Sequence, residues 1–311
     1  MFEKLEIPAI FLSKDAVLEC FASGRTSGLV VDLGSSGTVV SPVYDGWVEM
    51  KGLNRSVIGS RLMDHYLLQI LTGSLLQGNP PKPSYRLHKT VADDGITTIT
   101  KLRTNLINIH PAYDHYMCLE IARDIKETQC RVPETPLSES ESKLSTSPSS
   151  YYMLPDGTGI ELGIERFKPS ELLFDHTNID IHTLLHSSSP VSVDKSIVPA
   201  SSDPLQRIIC DAILRCDVDI QSSLFSSLII SGGGSCMEGI AERMKAEVEL
   251  IIHPVAPGWR VKYTTLGKAE RAISAWLGGS ILASLGSFHE MWMTKQEYQE
   301  HGSSLVDRKC P

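Results

Sequence analysis

The chain has 311 residues, of which 41% are hydrophobic and 21% are charged, and its formal net charge at pH 7 is −8. This globular composition predicts a sizeable core arranged in two lobes, and the acidic balance disfavours broad binding along a nucleic-acid backbone, with DNA contact through small basic clusters left open. The seven cysteines are irregularly spaced without a Cys-x-x-Cys pair, so we expect free thiols and no zinc site. No apolar run is as long as a membrane span requires, which is about 18 residues, so we expect no membrane contact.

The first part of the chain alternates between strand and helix patterns. Residues 1–22 predict a short strand followed by a helix that Gly24 ends. Residues 28–50 predict a strand, a turn and a second strand, with a hairpin turn at Asp45 and Gly46. A helix is predicted from Gly59 onward, and the apolar stripe expected on it comprises Leu62, Tyr66, Leu67, Ile70 and Leu71.

The middle of the chain carries two segments without a clear periodicity. Residues 73–105 are rich in Gly, Pro and Thr and predict irregular structure, and residues 138–150 predict a solvated Ser- and Glu-rich loop. A plain surface insertion is favoured over a phosphorylation site at 138–150.

A turn at 154–157 precedes a predicted strand over 159–167. A helix is predicted over 112–129, with four positions expected to be buried: Tyr116, Leu119, Ile121 and Ile125.

Two predicted strands each run into a glycine turn. The strand at 28–33 reaches Asp32 and the turn Gly-Ser-Ser-Gly, and the strand at 227–230 reaches Gly-Gly-Gly and then a helix from Ile240. Backbone N–H groups at such turns, together with a helix N-terminus, bind anions. Either turn alone is more often a tight connection between core elements, and Asp32 alone is a turn-capping carboxylate. The pair raises the hypothesis of a phosphate and metal site.

Three long segments resemble the actin family. They begin MFEKLEIPAIFL at residue 1, LIISGGGSCMEG at residue 228 and ERAISAWLGGSI at residue 270. The resemblance is continuous except in loops near 73–110, 137–150 and 187–203. Within the family, RDIKETQCRVPETP at residue 123, RCDVDI at residue 215 and the final Arg-Lys-Cys-Pro are most similar to the nuclear class called actin-related protein 4, which includes the fifty-three-kilodalton BAF subunit of animals.

The resemblance implies an α/β fold, namely the two-lobed actin-like ATPase fold with ribonuclease H-like sheets. Met1 matches an internal methionine of the family, so we expect the N-terminal third of a family member to be absent. An incomplete gene model, an alternative start and a fragment remain alternative explanations. The implied domains are a remnant of the first large lobe at 1–22 and 273–311, a second large lobe at 23–58 and 206–272, and a smaller subdomain at 59–205 with loops at 137–150 and 187–203.

The resemblance also implies a site for ATP with Mg²⁺ or Ca²⁺. Asp32 matches the acidic residue that holds the metal through water, and Gly34 matches the glycine of the phosphate turn. The other matched nucleotide-binding positions are Gly59, Lys126, Glu127, Gly232, Gly233 and Ser235. From the residues alone, Lys126 and Glu127 have an alternative interpretation as exposed helix charges.

Several departures from the family pattern fall at positions that serve hydrolysis. Ser35 replaces the second acidic residue, Asp15 the glutamine that positions water, and Val39 the histidine near that water. Ala272 and Met237 stand where the family has the lysine and the tyrosine that pack on adenine. Because phosphoryl transfer depends on a positioned nucleophile and on charge stabilisation, we expect no significant ATP hydrolysis, whereas nucleotide binding stays open.

The function implied by the resemblance is that of a non-catalytic nuclear subunit of chromatin-remodelling and histone acetyltransferase complexes. The implied partners are actin, a helical segment of a remodeller ATPase, and histones or the nucleosome, with a cytoplasmic fraction left open. The alternatives are an ATP-binding, filament-forming cytoskeletal actin and a sugar kinase or chaperone ATPase of the wider superfold. The resemblance also implies a groove for the partner helix, lined by Ser23, Gly24, Arg25, Leu277, Ile281, Leu285 and Met291. Taken singly, each of these residues has an alternative interpretation as part of the core.

Overall fold

The computed structural model describes residues 1–91, 98–103, 106, 108–139, 148–177, 179, 181, 183–184 and 202–310. The chain divides into two compact units. The first unit comprises 1–57, 196–236 and 244–311, and the second comprises 58–195 and 237–243. The segments 1–22 and 273–311, assigned above to a separate lobe, share the first unit with 23–57. The three-part lobe assignment stays a prediction.

Helices and strands alternate along the chain, which confirms the predicted α/β class. The helices are α1 Asp15–Ala22, α2 Ser60–Ile70, α3 Pro111–Gln129, α4 Lys168–Glu171, α5 Leu205–Leu214, α6 Val218–Phe225, α7 Ile240–Ile252, α8 Lys268–Arg271, α9 Ser274–Ala283, α10 Lys295–His301 and α11 Val306–Lys309. The strands are β1 Ala9–Ile10, β2 Gly28–Leu33, β3 Thr38–Tyr44, β4 Trp47–Val48, β5 Asn54–Ser56, β6 Leu87–Val91, β7 Thr98–Leu102, β8 Ser150–Met153, β9 Gly159–Leu162, β10 Leu228–Ser231, β11 Tyr263–Thr265 and β12 Met293–Thr294.

A six-stranded mixed sheet forms the centre of the first unit. Its strand order is β11-β10-β2-β3-β4, and β5 also pairs with β3. β10 runs parallel to both β2 and β11, whereas β3 runs antiparallel to β2. The central strand β2 buries Leu29, Val30 and Val31. Such a continuous apolar run is typical of a strand covered on both faces.

Helix α9 packs against α1 at a point where only glycine fits. A Cβ atom added to Gly278 would lie 1.7 Å from the backbone oxygen of Leu18. The face of α9 that contains Gly278 also buries Ser274 and Leu282. Gly278 therefore lets the backbones of α9 and α1 approach closely.

Gly278→Ala is expected to lower the free energy of unfolding by about 1–3 kcal/mol, because one of two backbones must move to admit the methyl group. Urea denaturation measures this change. Gly279→Ala is the matched control, since its Cβ would contact only Leu18 Cδ1 at 3.6 Å. That variant is expected to keep or raise stability, by up to about 1 kcal/mol, through its higher helix propensity. Equal effects of the two variants would contradict the close packing.

The second unit is built around α2 and α3. Pro111 opens α3, and the ring nitrogen Nδ1 of His110 accepts a hydrogen bond from the N–H of Ala112. Both features are typical of helix starts. The buried cluster between the two helices and the β8–β9 hairpin includes Leu67, Leu71, Ala122, Ile125 and Leu162.

Most of the predicted elements are present, with corrections within residues 73–105, at residue 150 and over residues 163–167. The hairpin turn at Asp45 and Gly46 is confirmed, and both residues have positive φ. Residues 73–105 are not irregular throughout, because they contain the antiparallel β6–β7 pair, whose strands LHKTV and TITKL contain no continuous apolar run. The strand predicted over 159–167 ends at Leu162, and its partner β8 begins at the edge of the predicted loop 138–150. Residues 140–147 of that loop lie outside the described residues, and so does the hypothesis of their modification. Most of the loop at 187–203 also lies outside the described residues.

The expected buried stripes are partly correct. Leu62, Leu67 and Leu71 are buried, but Tyr66 and Ile70 are only half-buried. On α3, Tyr116 is exposed, in contrast to the expectation, because the buried face of this helix is carried by Leu119, Ile121, Ala122 and Ile125. Within the part of the chain that the structure describes, no helix combines the length and the apolar character needed to cross a bilayer.

Candidate functional site

The two glycine turns lie side by side in the first unit. The parallel pairing of β2 with β10 sets Asp32 opposite Ser231, so both turns follow the carboxyl ends of adjacent strands. Gly232 has φ +83°, and a Cβ atom at this position would lie 2.2 Å from Asp32 Oδ1 and 2.6 Å from the backbone oxygen of Leu33. The carboxylate of Asp32 therefore rests against the backbone of the second turn. Ligands of α/β proteins commonly bind at this edge of a sheet.

Gly232→Ala is expected to destabilise the first unit by about 1–3 kcal/mol, because the substitution combines a positive φ with a clash against Asp32. The control is Gly233→Ala, where a Cβ would meet nothing within 4 Å. We expect that control to change stability by less than about 1 kcal/mol. Chemical denaturation of both variants distinguishes them, and a Gly232→Ala protein as stable as the control would disprove this contact.

Hydrogen bonds fix the conformation of the second turn. The N–H of Gly232 donates to the backbone oxygen of Arg271 at 3.3 Å, and Arg271 Nη1 donates to the backbone oxygen of Ser235 at 2.7 Å. Ser235 is fully buried, and its hydroxyl donates to the backbone oxygen of Gly232 at 2.7 Å. Ser235 therefore closes the turn with its side chain. The contribution of Arg271 was not predicted, because a four-residue helix is too short to show a pattern of charges.

Three carboxyl groups influence one another below the turns. Burial, and next the nearby charge of Asp15, raise the pKa of Asp32. Burial, and next the charge of Asp32, raise the pKa of Glu19 to about 7, although hydrogen bonds from the hydroxyls of Ser231 and Ser274 at 3.0 and 3.1 Å oppose this rise. Among the described residues, no group of His, Cys, Asp or Glu side chains has the arrangement to hold a metal directly. Sequence reasoning missed Glu19, since it lies in an ordinary amphipathic helix pattern.

Three of the departures from the family pattern concern the surroundings of Asp32. Val39 faces Asp32 directly across the antiparallel β2–β3 pair. Ser35 is exposed in the first turn, directly after Gly34, and Asp15 acts on Asp32 electrostatically. The structure therefore places an aliphatic side chain, a neutral hydroxyl and an extra carboxylate around the one predicted metal-binding carboxylate.

The matched residues of the second unit make contacts within that unit. Lys126 is buried, and its Nζ lies 2.6 Å from Asp64 Oδ1 and donates to the backbone oxygen of Ser60 at 3.0 Å. The interpretation of Lys126 as an exposed helix charge is therefore wrong. Glu127 is exposed and pairs with Arg123 Nε at 3.0 Å. Gly59 precedes α2, and its carbonyl accepts the hydrogen bond of a first-turn N–H group.

Binding of the phosphate and metal end of a nucleotide by the residues of the first unit stays a prediction. The space beside Gly232 is filled by Asp32 Oδ1 and the backbone of Leu33, whereas the space beside Gly233 is open, since a Cβ there would meet nothing within 4 Å. Lys126 fits a ligand less well, because its ammonium already has an ionic partner. Of the two positions matched to adenine packing, Ala272 is exposed and Met237 packs against the core cluster of the second unit.

The predicted partner-helix residues all belong to the first unit. Ser23 and Gly24 end α1, and Arg25 Nη2 donates to the hydroxyl of Thr264 at 3.0 Å. Ile281 is exposed in α9, which contradicts its interpretation as a core residue. The same correction applies to Leu285, whereas the remaining apolar positions are half-buried: Leu277 and Met291. The groove itself stays a prediction.

Comparison with known proteins extends over the whole chain. The model of the actin family matches residues 1–311. The chain is 41% identical over 312 residues to actin-related protein 4 of Oryza sativa subsp. japonica, which covers all of this chain and 66% of that protein. It is 36% identical to actin-related protein 4 of Arabidopsis thaliana, with 100% and 67% coverage, and 31% identical to that of Yarrowia lipolytica, with 99% and 67% coverage. The chain thus spans about two thirds of the length of these relatives.

Proposed function

The chain belongs to the actin family, and we propose that this actin-related protein is a non-catalytic nuclear subunit of chromatin-remodelling and histone acetyltransferase complexes. The observation that supports this proposal is similarity along the whole chain to proteins named actin-related protein 4 in several organisms. In this proposal the protein pairs with actin on a helical segment of a remodeller ATPase and contacts histones or the nucleosome.

The surroundings of Asp32 support a scaffold without ATP hydrolysis. Val39 supplies no proton donor or acceptor opposite Asp32, and Ser35 supplies no charge. Asp15 adds negative charge where a triphosphate would need it least. Lost electrostatic stabilisation of this kind typically lowers a rate constant by about 100-fold or more for each group.

Nucleotide binding without turnover forms a second part of the proposal. Asp32, Gly34, Gly232 and Gly233 would hold the phosphates and a divalent cation. Bound ATP would then act as a structural ligand, which stabilises the folded state by mass action. The test is a thermal shift in millimolar Mg-ATP, with Asp32→Asn as the variant and Asp45→Asn, in the distant hairpin turn, as its control. No shift of the unsubstituted protein would disprove this part.

The alternative function is that of a filament-forming, ATP-hydrolysing actin. Sedimentation and phosphate release, measured in parallel with conventional actin under polymerising salt, separate the two functions. We expect no sedimenting polymer and phosphate release slower by about 100-fold or more. Filaments with phosphate release at the rate of conventional actin would overturn the non-catalytic assignment.

A further inference from the structure

A cavity of about 650 Å³ lies within the second unit. It is lined by α2, the segment that follows α2, and the N-terminal half of α3. Cavities that bind small molecules typically measure about 300–1,000 Å³ and combine apolar walls with a few polar groups. The lining includes none of the residues matched to nucleotide or to the partner helix.

Two imidazole rings form one wall of the cavity. The ring centroids of His65 on α2 and His115 on α3 lie 5.4 Å apart at an angle of 34°. His65 is buried, and its Nε2 atom has no hydrogen-bond partner among the described residues. Burial, and next the neighbouring His115, lower the pKa of His65 to about 4, so this ring is neutral at pH 7. His115 is exposed at the cavity and available to a ligand.

The fixed charges of the lining cancel. Arg86 Nε donates to Asp114 Oδ1 at 2.8 Å. Among the described residues that line the cavity, Arg86 and Asp114 are the two with a fixed charge. Asp114 also accepts a hydrogen bond from the hydroxyl of Tyr85. An anion would be repelled by Asp114 and a cation by Arg86, so neither gains net electrostatic attraction. An uncharged ligand has the lower desolvation cost.

The remaining walls are apolar with two neutral polar groups. Leu68, Ile109 and Pro111 supply apolar surface, and Gln69 and Thr72 supply an amide and a hydroxyl. Flat rings pack well against imidazole and aliphatic side chains, and amide and hydroxyl groups recognise an edge that both donates and accepts hydrogen bonds. We propose that this cavity binds an uncharged, planar heteroaromatic molecule through His115, the Arg86–Asp114 pair and the apolar wall.

Three probes with one ring and different charges test the proposal. Nicotinamide is neutral, nicotinate is an anion and the corresponding aminomethylpyridine is a cation. Saturation-transfer NMR titrations of the full chain give the three affinities, and the ring carbon signals of His65 and His115 report the location. A fragment of this size is expected to bind with a millimolar dissociation constant. Nicotinamide is expected to bind at least about 5-fold more tightly than either charged probe, and excess Mg-ATP is expected not to displace it.

The variant His115→Ala tests the location, since the exposed position tolerates truncation. It is expected to weaken nicotinamide binding by about 5-fold or more. The control His253→Ala removes an exposed histidine from the first unit and is expected to leave binding unchanged. The proposal is overturned by absence of nicotinamide binding, by tighter binding of a charged probe, or by unchanged binding to His115→Ala.

Discussion

Arg243→Met is expected to lower the free energy of unfolding by about 3–5 kcal/mol, because it leaves a buried carboxylate without its cation. The side chains of Arg243 and Glu171 are 1% and 7% exposed, and Arg243 Nη2 lies 3.3 Å from Glu171 Oε1. Arg243 Nη1 donates to the backbone oxygen of Pro133 at 3.0 Å, and the guanidinium packs over the ring of Phe174. One side chain therefore joins the first turn of α7 to two other segments of the second unit.

Chemical denaturation of Arg243→Met measures this loss, with Arg131→Met as the control. Arg131 also pairs with a glutamate, Glu238, at 3.3 Å, but both of these side chains are more than half exposed. Exposed pairs contribute at most about 1 kcal/mol, so the control is expected to lose no more than that. The double variant Arg243→Met with Glu171→Leu is expected to regain part of the stability, because it removes the unpaired charge as well. Similar losses in Arg243→Met and Arg131→Met would contradict this role.

Glu19→Gln is expected to stabilise the protein at pH 8 by roughly 3 kcal/mol and to remove a pH-dependent loss of stability. The pKa of Glu19 rises from 4.5 to about 7 on folding. Because the folded pKa is the higher one, the contribution of Glu19 is fully present below pH 4.5 and is lost as the pH rises through 7. The amide of glutamine keeps the acceptor for Ser231 and Ser274 without a charge.

Urea denaturation of both proteins between pH 5 and 8 tests this expectation. The difference in unfolding free energy between Glu19→Gln and the unsubstituted protein is expected to grow as the pH rises. Glu127→Gln, on the exposed face of α3, is the control and is expected to show a small difference that does not grow in this way. Parallel pH profiles of Glu19→Gln and the unsubstituted protein would show that the buried carboxyl does not titrate as inferred.

The turns that carry the candidate site could be predicted because backbone conformation demands particular residues there. Gly232 in the second glycine turn has φ +83°, as does Gly46 in the separate β3–β4 hairpin, and a sequence reveals such positions through glycine after an apolar run. The resemblance to the actin family, confirmed by the family comparison and by the α/β structure, also came from long continuous segments rather than from single motifs.

The charged interior could not be predicted, because its partners lie far apart in the chain. Glu19 receives hydrogen bonds from residues 212 and 255 positions away, Ser231 and Ser274. Arg243 meets Glu171 across 72 positions. Charged residues in helices are exposed far more often than buried, so a local pattern assigns both residues to the surface. The burial of Lys126 against Asp64 escaped prediction for the same reason.

Affinity capture of the full chain from nuclear extract, followed by quantitative mass spectrometry, is the most direct test of the proposal that this actin-related protein is an assembly subunit of nuclear complexes. We expect recovery of actin together with subunits of a chromatin remodeller. We also expect that recovery to be lost in Ile281→Asp, at an exposed position of α9, but not in Leu250→Asp, at an exposed position of α7. Recovery of cytoplasmic filament proteins without remodeller subunits would contradict the claim.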